Sequence, residues 1–92
     1  MAAKITFYKG EKRNVTATVT SRNIKEAVVI NSATFELINT DTEQVVQSGT
    51  CEHKGNEAVA FLDLSAAGHF ELVVTSQVGR EEIISKCPIE VE

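Results

Sequence analysis

The chain has 92 residues, enough for one small domain with a single hydrophobic core. Apolar residues make up 42% and charged residues 24% of it, which excludes a disordered chain. The formal net charge is −4 with Lys and Arg scattered among acids, which argues against nucleic-acid binding, and no apolar run is long enough to span a bilayer. The N-terminal residues lack the apolar core of a signal peptide, so we expect cytoplasmic synthesis.

The first half of the chain alternates apolar and polar residues with a period of two, which predicts strands. Residues 3–8 form the first strand and residues 9–11 a turn. Residues 14–20 form the second strand, and residues 21–26 are a polar loop. Residues 33–39 form the third strand, with Ala33, Phe35 and Leu37 facing the core, and the polar residues 39–42 form the next turn.

The second half continues the pattern and ends in a long hairpin. Residues 44–47 form a short strand ended by Ser48 and Gly49, residues 50–53 form another, and residues 54–56 turn the chain into a strand over 57–64. Residues 65–68 lead to two long strands around a Gly-containing turn. The predicted inward residues of this closing hairpin are Phe70, Leu72, Val74, Ile83, Cys87, Ile89 and Val91.

Pro88 lies within the last predicted strand. Because proline has no N–H group to donate, it indicates an edge strand, a bulge or a strand that switches sheets at this point.

Seven to eight strands with a turn every 8–12 residues are typical of an all-β sandwich. No segment is long enough for a stable helix. We therefore predict a single immunoglobulin-like domain over residues 1–92, an antiparallel β-sandwich.

Neither histidine belongs to a recognisable metal site. Near His53 or His69 lie Cys51, Glu52, Asp63 and Glu71, but their spacing matches no ligand motif, and adjacent strand residues point to opposite faces. We predict no metal site and no cofactor. Two cysteines are too few for a zinc ribbon, so we interpret Cys51 and Cys87 as buried thiols, and a disulfide stays open if their strands are neighbours.

The chain also lacks the patterns of an enzyme active site. A Cys/His pair would need an oxyanion hole beside it, and no Gly-rich loop opens a helix to hold a phosphate. We predict no catalytic residues and no enzymatic activity.

Three valines are the candidate interface residues. In the run Val28-Val29-Ile30, alternation turns the first and last inward and Val29 outward. Of Val45 and Val46, one should likewise be exposed. If Val29 and one of that pair share a surface, they could seed a contact patch, although isolated exposed valines are common.

Three short segments resemble the immunoglobulin-like modules of tailed-phage and prophage structural proteins. Residues 7–11 (Phe-Tyr-Lys-Gly-Glu) and the strand after them are similar to that family's opening strand, turn and second strand. Residues 30–35 are similar to its Leu-Thr-Gly-Ala-Thr-Val segment, with Ser32 in place of the glycine. Residues 63–72 are similar to its Pro-Gly-x-Tyr-x-Leu segment, with Phe70 in place of the tyrosine. The resemblance is particularly to the N-terminal domain of baseplate upper proteins.

This resemblance implies a non-enzymatic structural module of a virion tail or baseplate that assembles with copies of itself or with other virion proteins. The family's domain usually begins a longer protein, so this chain is expected to be either one domain of such a protein or a small protein by itself. The alternative is a carbohydrate-binding or adhesin-like sandwich, which normally presents aromatic rings to its ligand. The chain has no Trp and one Tyr, Tyr8.

Overall fold

The computed structural model describes residues 5–19 and 28–92, and within these ranges all regular structure is β-strand. The strands are β1 (Ile5–Phe7), β2 (Glu11–Thr18), β3 (Ser32–Asn39), β4 (Gln44–Thr50), β5 (Glu52–Lys54), β6 (Glu57–Leu64), β7 (Gly68–Val78) and β8 (Glu81–Val91). The predicted loop over residues 21–26 lies outside the described residues, as do the ends of the first two predicted strands.

The described strands form two sheets packed face to face. One has the order β1-β8-β7-β3-β4 and the other the order β2-β6-β5. Strands next to one another in the sheet are often distant in the chain, and this order is that of an immunoglobulin-like sandwich. The predicted fold class is confirmed.

One described pairing departs from the antiparallel prediction. β1 runs parallel to β8, with Ile5 opposite Ile89 and Phe7 opposite Val91. The reason is topological, since β2 lies in the other sheet. The chain therefore crosses the sandwich after β1 instead of folding back as a hairpin, and β1 joins the last strand.

The core lies between the sheets and is built by the period-two alternation. Ala33, Phe35 and Leu37 are buried on β3, as are Phe70 and its alternating partners on β7. On the other sheet β6 contributes the alternating residues Ala58, Ala60, Leu62 and Leu64, all at most 2% exposed. The inward faces of β3 and β7 were predicted and are confirmed, whereas the inward face of β6 was not assigned from the sequence.

The predicted bounds of β4 and of the next strand are wrong. Ser48 and Gly49 do not end β4, which continues to Thr50. Gly49 lies opposite Phe35, where a Cβ atom would be 3.1 Å from the ring carbon Cε1, so glycine here makes room for a core side chain. β5 then begins only at Glu52, because Cys51 lies between the sheets and its N–H donates to the Ala33 carbonyl at 2.8 Å.

The turn after β3 is held by the side chain predicted to hold it. Asn39 Oδ1 accepts hydrogen bonds from the N–H groups of Asp41 at 2.9 Å and Thr42 at 3.2 Å. Glu43 completes the turn in the left-handed region, with a φ of 60°, and leads directly into β4. The start of β4 is therefore fixed by short-range contacts.

Pro88 lies where β8 is still an edge. β8 pairs with β7 along its whole length but with β1 only from Ile89 onward. The edge-strand interpretation of Pro88 is therefore confirmed for the described residues.

Leu62 and Phe61 are neighbours on β6 with opposite burial, 0% and 55% exposed. We expect Leu62→Ala to lower the free energy of unfolding by about 2–5 kcal/mol, because it removes buried methyl groups and leaves a cavity. Phe61→Ala, the matched control, should change it by less than about 1 kcal/mol. Urea unfolding of both variants measures this, and equal losses would contradict the placement of β6.

Candidate functional site

All three candidate valines are exposed. The exposed fractions are 55% for Val29, 50% for Val45 and 53% for Val46. The prediction that Val29 faces outward while Ile30 is buried is confirmed. The prediction that only one of Val45 and Val46 is exposed is wrong.

The reason is a β-bulge in β4. Leu37 lies opposite Gln47, but the next residue, Ile38, lies opposite Val45, so Val46 is the extra residue between them. An extra residue breaks the alternation locally. Val45 therefore faces outward beside Ile38, and Val46 lies at the open end of the sandwich.

The structure does not bring Val29 together with the other two. Val29 lies three residues before Ser32, where β3 starts, whereas Val45 lies opposite Ile38 near its end. Ser32 and Ile38 are six residues apart, roughly 20 Å along an extended strand. The three valines therefore do not form one patch.

Val46 lines the mouth of a cavity of about 260 Å³ between the two sheets. Its walls include the core residues Leu37, Leu64 and Phe70 and the polar residues Asn39 and Asp63. At this place the Asp63 N–H donates to Gln47 Oε1 at 3.1 Å, which ties β4 to the opposite sheet. The bond fixes the middle of β4 against the sandwich.

A second set of apolar side chains lies on the outer face of the five-stranded sheet. We call it the apolar diagonal: Val45, Ile38, Val73 and Ile84. Val45 is directly opposite Ile38, and each further step is a diagonal neighbour across one strand pair. Val45 and Ile84 are exposed and the two central residues are half-buried.

Sequence reasoning missed this diagonal, although its signal is present. Ile38 and Ile84 each follow a core-facing residue, and Val73 lies between two, so each is the outward member of an apolar run. The runs are visible in the sequence. Their alignment depends on the pairing register, which the sequence does not supply.

The histidines do not form a site with the acids near them in sequence. His53 is exposed on β5, and His69 Nε2 lies 3.0 Å from Glu90 Oε1 on β8. Among residues 5–19 and 28–92, no group of three or more His, Cys, Asp or Glu side chains is arranged to hold a metal ion.

The two cysteines are not bridged to each other. Cys51 adjoins Ala33 on β3, whereas Cys87 lies opposite Leu72 on β7, so strands of the large sheet separate them. Cys51 is buried and Cys87 half-buried against the core. Burial raises the pKa of both thiols, which disfavours the reactive thiolate.

We expect both thiols of the folded protein to react slowly with iodoacetamide near neutral pH, with Cys51 slower than Cys87 because it is more buried. Mass spectrometry with and without denaturant measures the rates, and unfolding should accelerate both by roughly tenfold or more. Rapid labelling of one thiol in the folded state would contradict this and favour a thiol-dependent enzyme.

The corner between β1 and β2 holds the clearest electrostatic arrangement. Glu11 accepts a hydrogen bond from the Tyr8 N–H at 2.7 Å and another from Arg13 Nη1 at 2.9 Å. The Arg13 guanidinium lies 5.0 Å from the Phe7 ring centroid. These two hydrogen bonds hold the pKa of Glu11 below its ordinary value of 4.5. The bond from the Tyr8 N–H has the larger effect and the bond from Arg13 the smaller one.

A lowered pKa in the folded state means that the unfolded chain binds more protons at acidic pH. The contribution of Glu11 to stability is therefore present above pH 4.5 and is lost as pH falls through its folded pKa. We expect Glu11→Gln to lower the urea midpoint at neutral pH, and this difference from the parent protein to shrink as pH falls below 4.5. A difference that stays constant as the pH is lowered would contradict the assignment.

No helix among the described residues has the length and apolar character to cross a membrane. No family model matches the chain, and no curated protein matches it in sequence. A solved structure does match, that of an engineered protein from the Northeast Structural Genomics Consortium, with a TM-score of 0.72 and 11% identity. The match covers 99% of this chain and 18% of the engineered one, and at this identity it shows the fold alone.

Proposed function

We propose that this protein is a non-enzymatic structural module that acts through protein–protein contacts. The observation that carries the proposal is the outer surface of the large sheet. There the apolar diagonal reaches the edge strand β4, whose side chains are exposed on both faces except for the half-buried Gln47. Such a combination of unpaired backbone and exposed apolar side chains is typical of a surface that binds another chain.

The finer proposal is a tail or baseplate component of a phage or prophage virion. It is supported by the resemblance of residues 7–11, 30–35 and 63–72 to that family's segments, which lie in three separate parts of the sandwich. Its mechanism is assembly, in which a rigid sandwich presents an edge and an apolar face to neighbouring subunits.

Ligand binding is the second candidate, and exposed aromatic rings favour it. Tyr8 is 66% and Phe61 55% exposed. The two do not share a site, since Tyr8 precedes the β1–β2 turn whereas Phe61 lies opposite Asn14 on the small sheet. Among the described residues that line the 260 Å³ cavity, the only aromatic is Phe70, which is buried. A carbohydrate platform therefore has less support than a protein interface.

The proposal is tested by light scattering over a range of protein concentrations, combined with co-sedimentation of the protein with purified tail and baseplate particles. We expect either a mass above the 10.0 kDa of one chain or sedimentation with the particles. A glycan array distinguishes the second candidate. A protein that remains a monomer at every concentration and does not sediment with the particles would contradict the proposal.

A further inference from the structure

The edges of the two sheets differ in their charge, and the difference singles out β4. β2 begins with Glu11, Lys12 and Arg13, and β5 is the short strand Glu-His-Lys. The unpaired part of β8 carries Glu81, Glu82 and Lys86 and ends at Pro88. Charge, proline and short length are the features by which proteins keep edge strands from pairing with other chains.

β4 lacks all three of these features, and its bulge at Val46, which is a further device of this kind, lies before the regular part of the strand. It is seven residues long and reads Gln-Val-Val-Gln-Ser-Gly-Thr, with no charged residue and no proline. β1 is also uncharged, but it is three residues long. Among the described edges β4 is therefore the one that combines length with neutrality. Its bulge lies at Val46, so Gln47–Thr50 pair regularly with β3, and no strand among the described residues pairs with their other side.

The edge of β4 is also rigid and accessible. The Asn39 turn fixes its start, the Gln47–Asp63 hydrogen bond fixes its middle, and pairing with β3 continues to Thr50. The large sheet has two more strands than the small one among the described residues, and β4 is one of its two outermost strands. A strand arriving in the plane of the sheet therefore meets a preorganised backbone, which lowers the entropy lost on binding.

We infer that β4 is a self-recognition edge, at which two copies of this chain pair antiparallel about a twofold axis. This inference rests on the proposed function and names its partner and site. A second copy fits this edge because an identical strand is uncharged and brings no like charge directly across the pair, whereas at other surfaces the net charge of −4 on each chain makes two copies repel one another.

The twofold axis would stand perpendicular to the large sheets of the two copies, which the β4–β4 contact would join into one continuous sheet. The outer face of one large sheet then continues into the outer face of the other, so the Val45 side chains of both copies lie on the same side of the joined sheet. Because the contact is isologous, it uses both β4 edges at once and closes at the dimer instead of growing into a fibre.

The experiment is sedimentation velocity over a range of concentrations on the parent protein and three variants. Val46→Lys and Ser48→Lys place a cation on β4, and Ser48 lies opposite Glu36, which accommodates the lysine in the monomer. Val29→Lys is the matched control. It makes the same change in net charge at a valine exposed to the same degree, but away from β4.

We expect the parent protein and Val29→Lys to approach twice the monomer mass as concentration rises. Each β4 variant should weaken this association by roughly tenfold or more, because like charges oppose one another across the paired strands. Urea unfolding should show that all four proteins fold. Hydrogen exchange of the parent protein gives a readout without substitutions: amides of β4 should gain protection at high concentration while those of β2 and β5 do not.

Three results would overturn the inference. They are association that the β4 lysines leave unchanged, association that Val29→Lys weakens equally, and a parent protein that stays monomeric. In the last case, sedimentation with tail or baseplate particles would still support the proposed interaction function, so the two failures are distinguishable. Protection gained at β2 or β5 instead of β4 would likewise overturn the inference.

Discussion

The structure depends on the register of β7. This strand pairs with β8 along its whole length and with β3 from Phe70 to Gln77, so one strand fixes the alignment of both neighbours. A slip by one residue would turn Phe70, Leu72 and Val74 outward and expose the core side of the sheet. The buried alternation on β7 opposes such a slip, because each of these three side chains gains stability only in the observed register.

The same register also determines which outward side chains lie next to one another, and therefore which polar and apolar contacts they make. It pairs His69 with Glu90 and Gln77 with Glu82, so two polar contacts close the ends of the β7–β8 pair. It also aligns Val73 diagonally with Ile38 and Ile84. The register leaves one polar atom buried without a hydrogen bond. Ser76 Oγ is fully buried and has no hydrogen-bond partner in the described structure. The inward position of Ser76 follows from the period of the strand, and we find no role for its hydroxyl.

The sequence predicted the sandwich and most inward faces because a period of two is a local property. It failed where a position depends on another strand. Gly49 was interpreted as a strand end, although its role is to make room for Phe35 across the pair. Val46 was expected to alternate with Val45, but the bulge adds a residue. The parallel β1 pairing was missed because it joins the first strand to the last. For the candidate surface, the exposure of Val29 was accessible from the sequence, whereas the exposure of both Val45 and Val46, their separation from Val29 and the apolar diagonal required the register.

Pairing through the four regular residues of β4 has an energetic consequence that fits an assembling protein better than a permanent dimer. Stable interfaces bury about 1,200–2,000 Å² in total, and an edge contact between two single strands buries less. Such a contact is expected to be weak and to depend on concentration. Within an array of neighbouring subunits, however, several weak contacts per subunit act together, and each one formed raises the effective concentration for the next. A neutral, rigid edge on an acidic domain gives this behaviour: net charge opposes contacts between copies through their other surfaces, and copies that meet at β4 pair when their concentration is high.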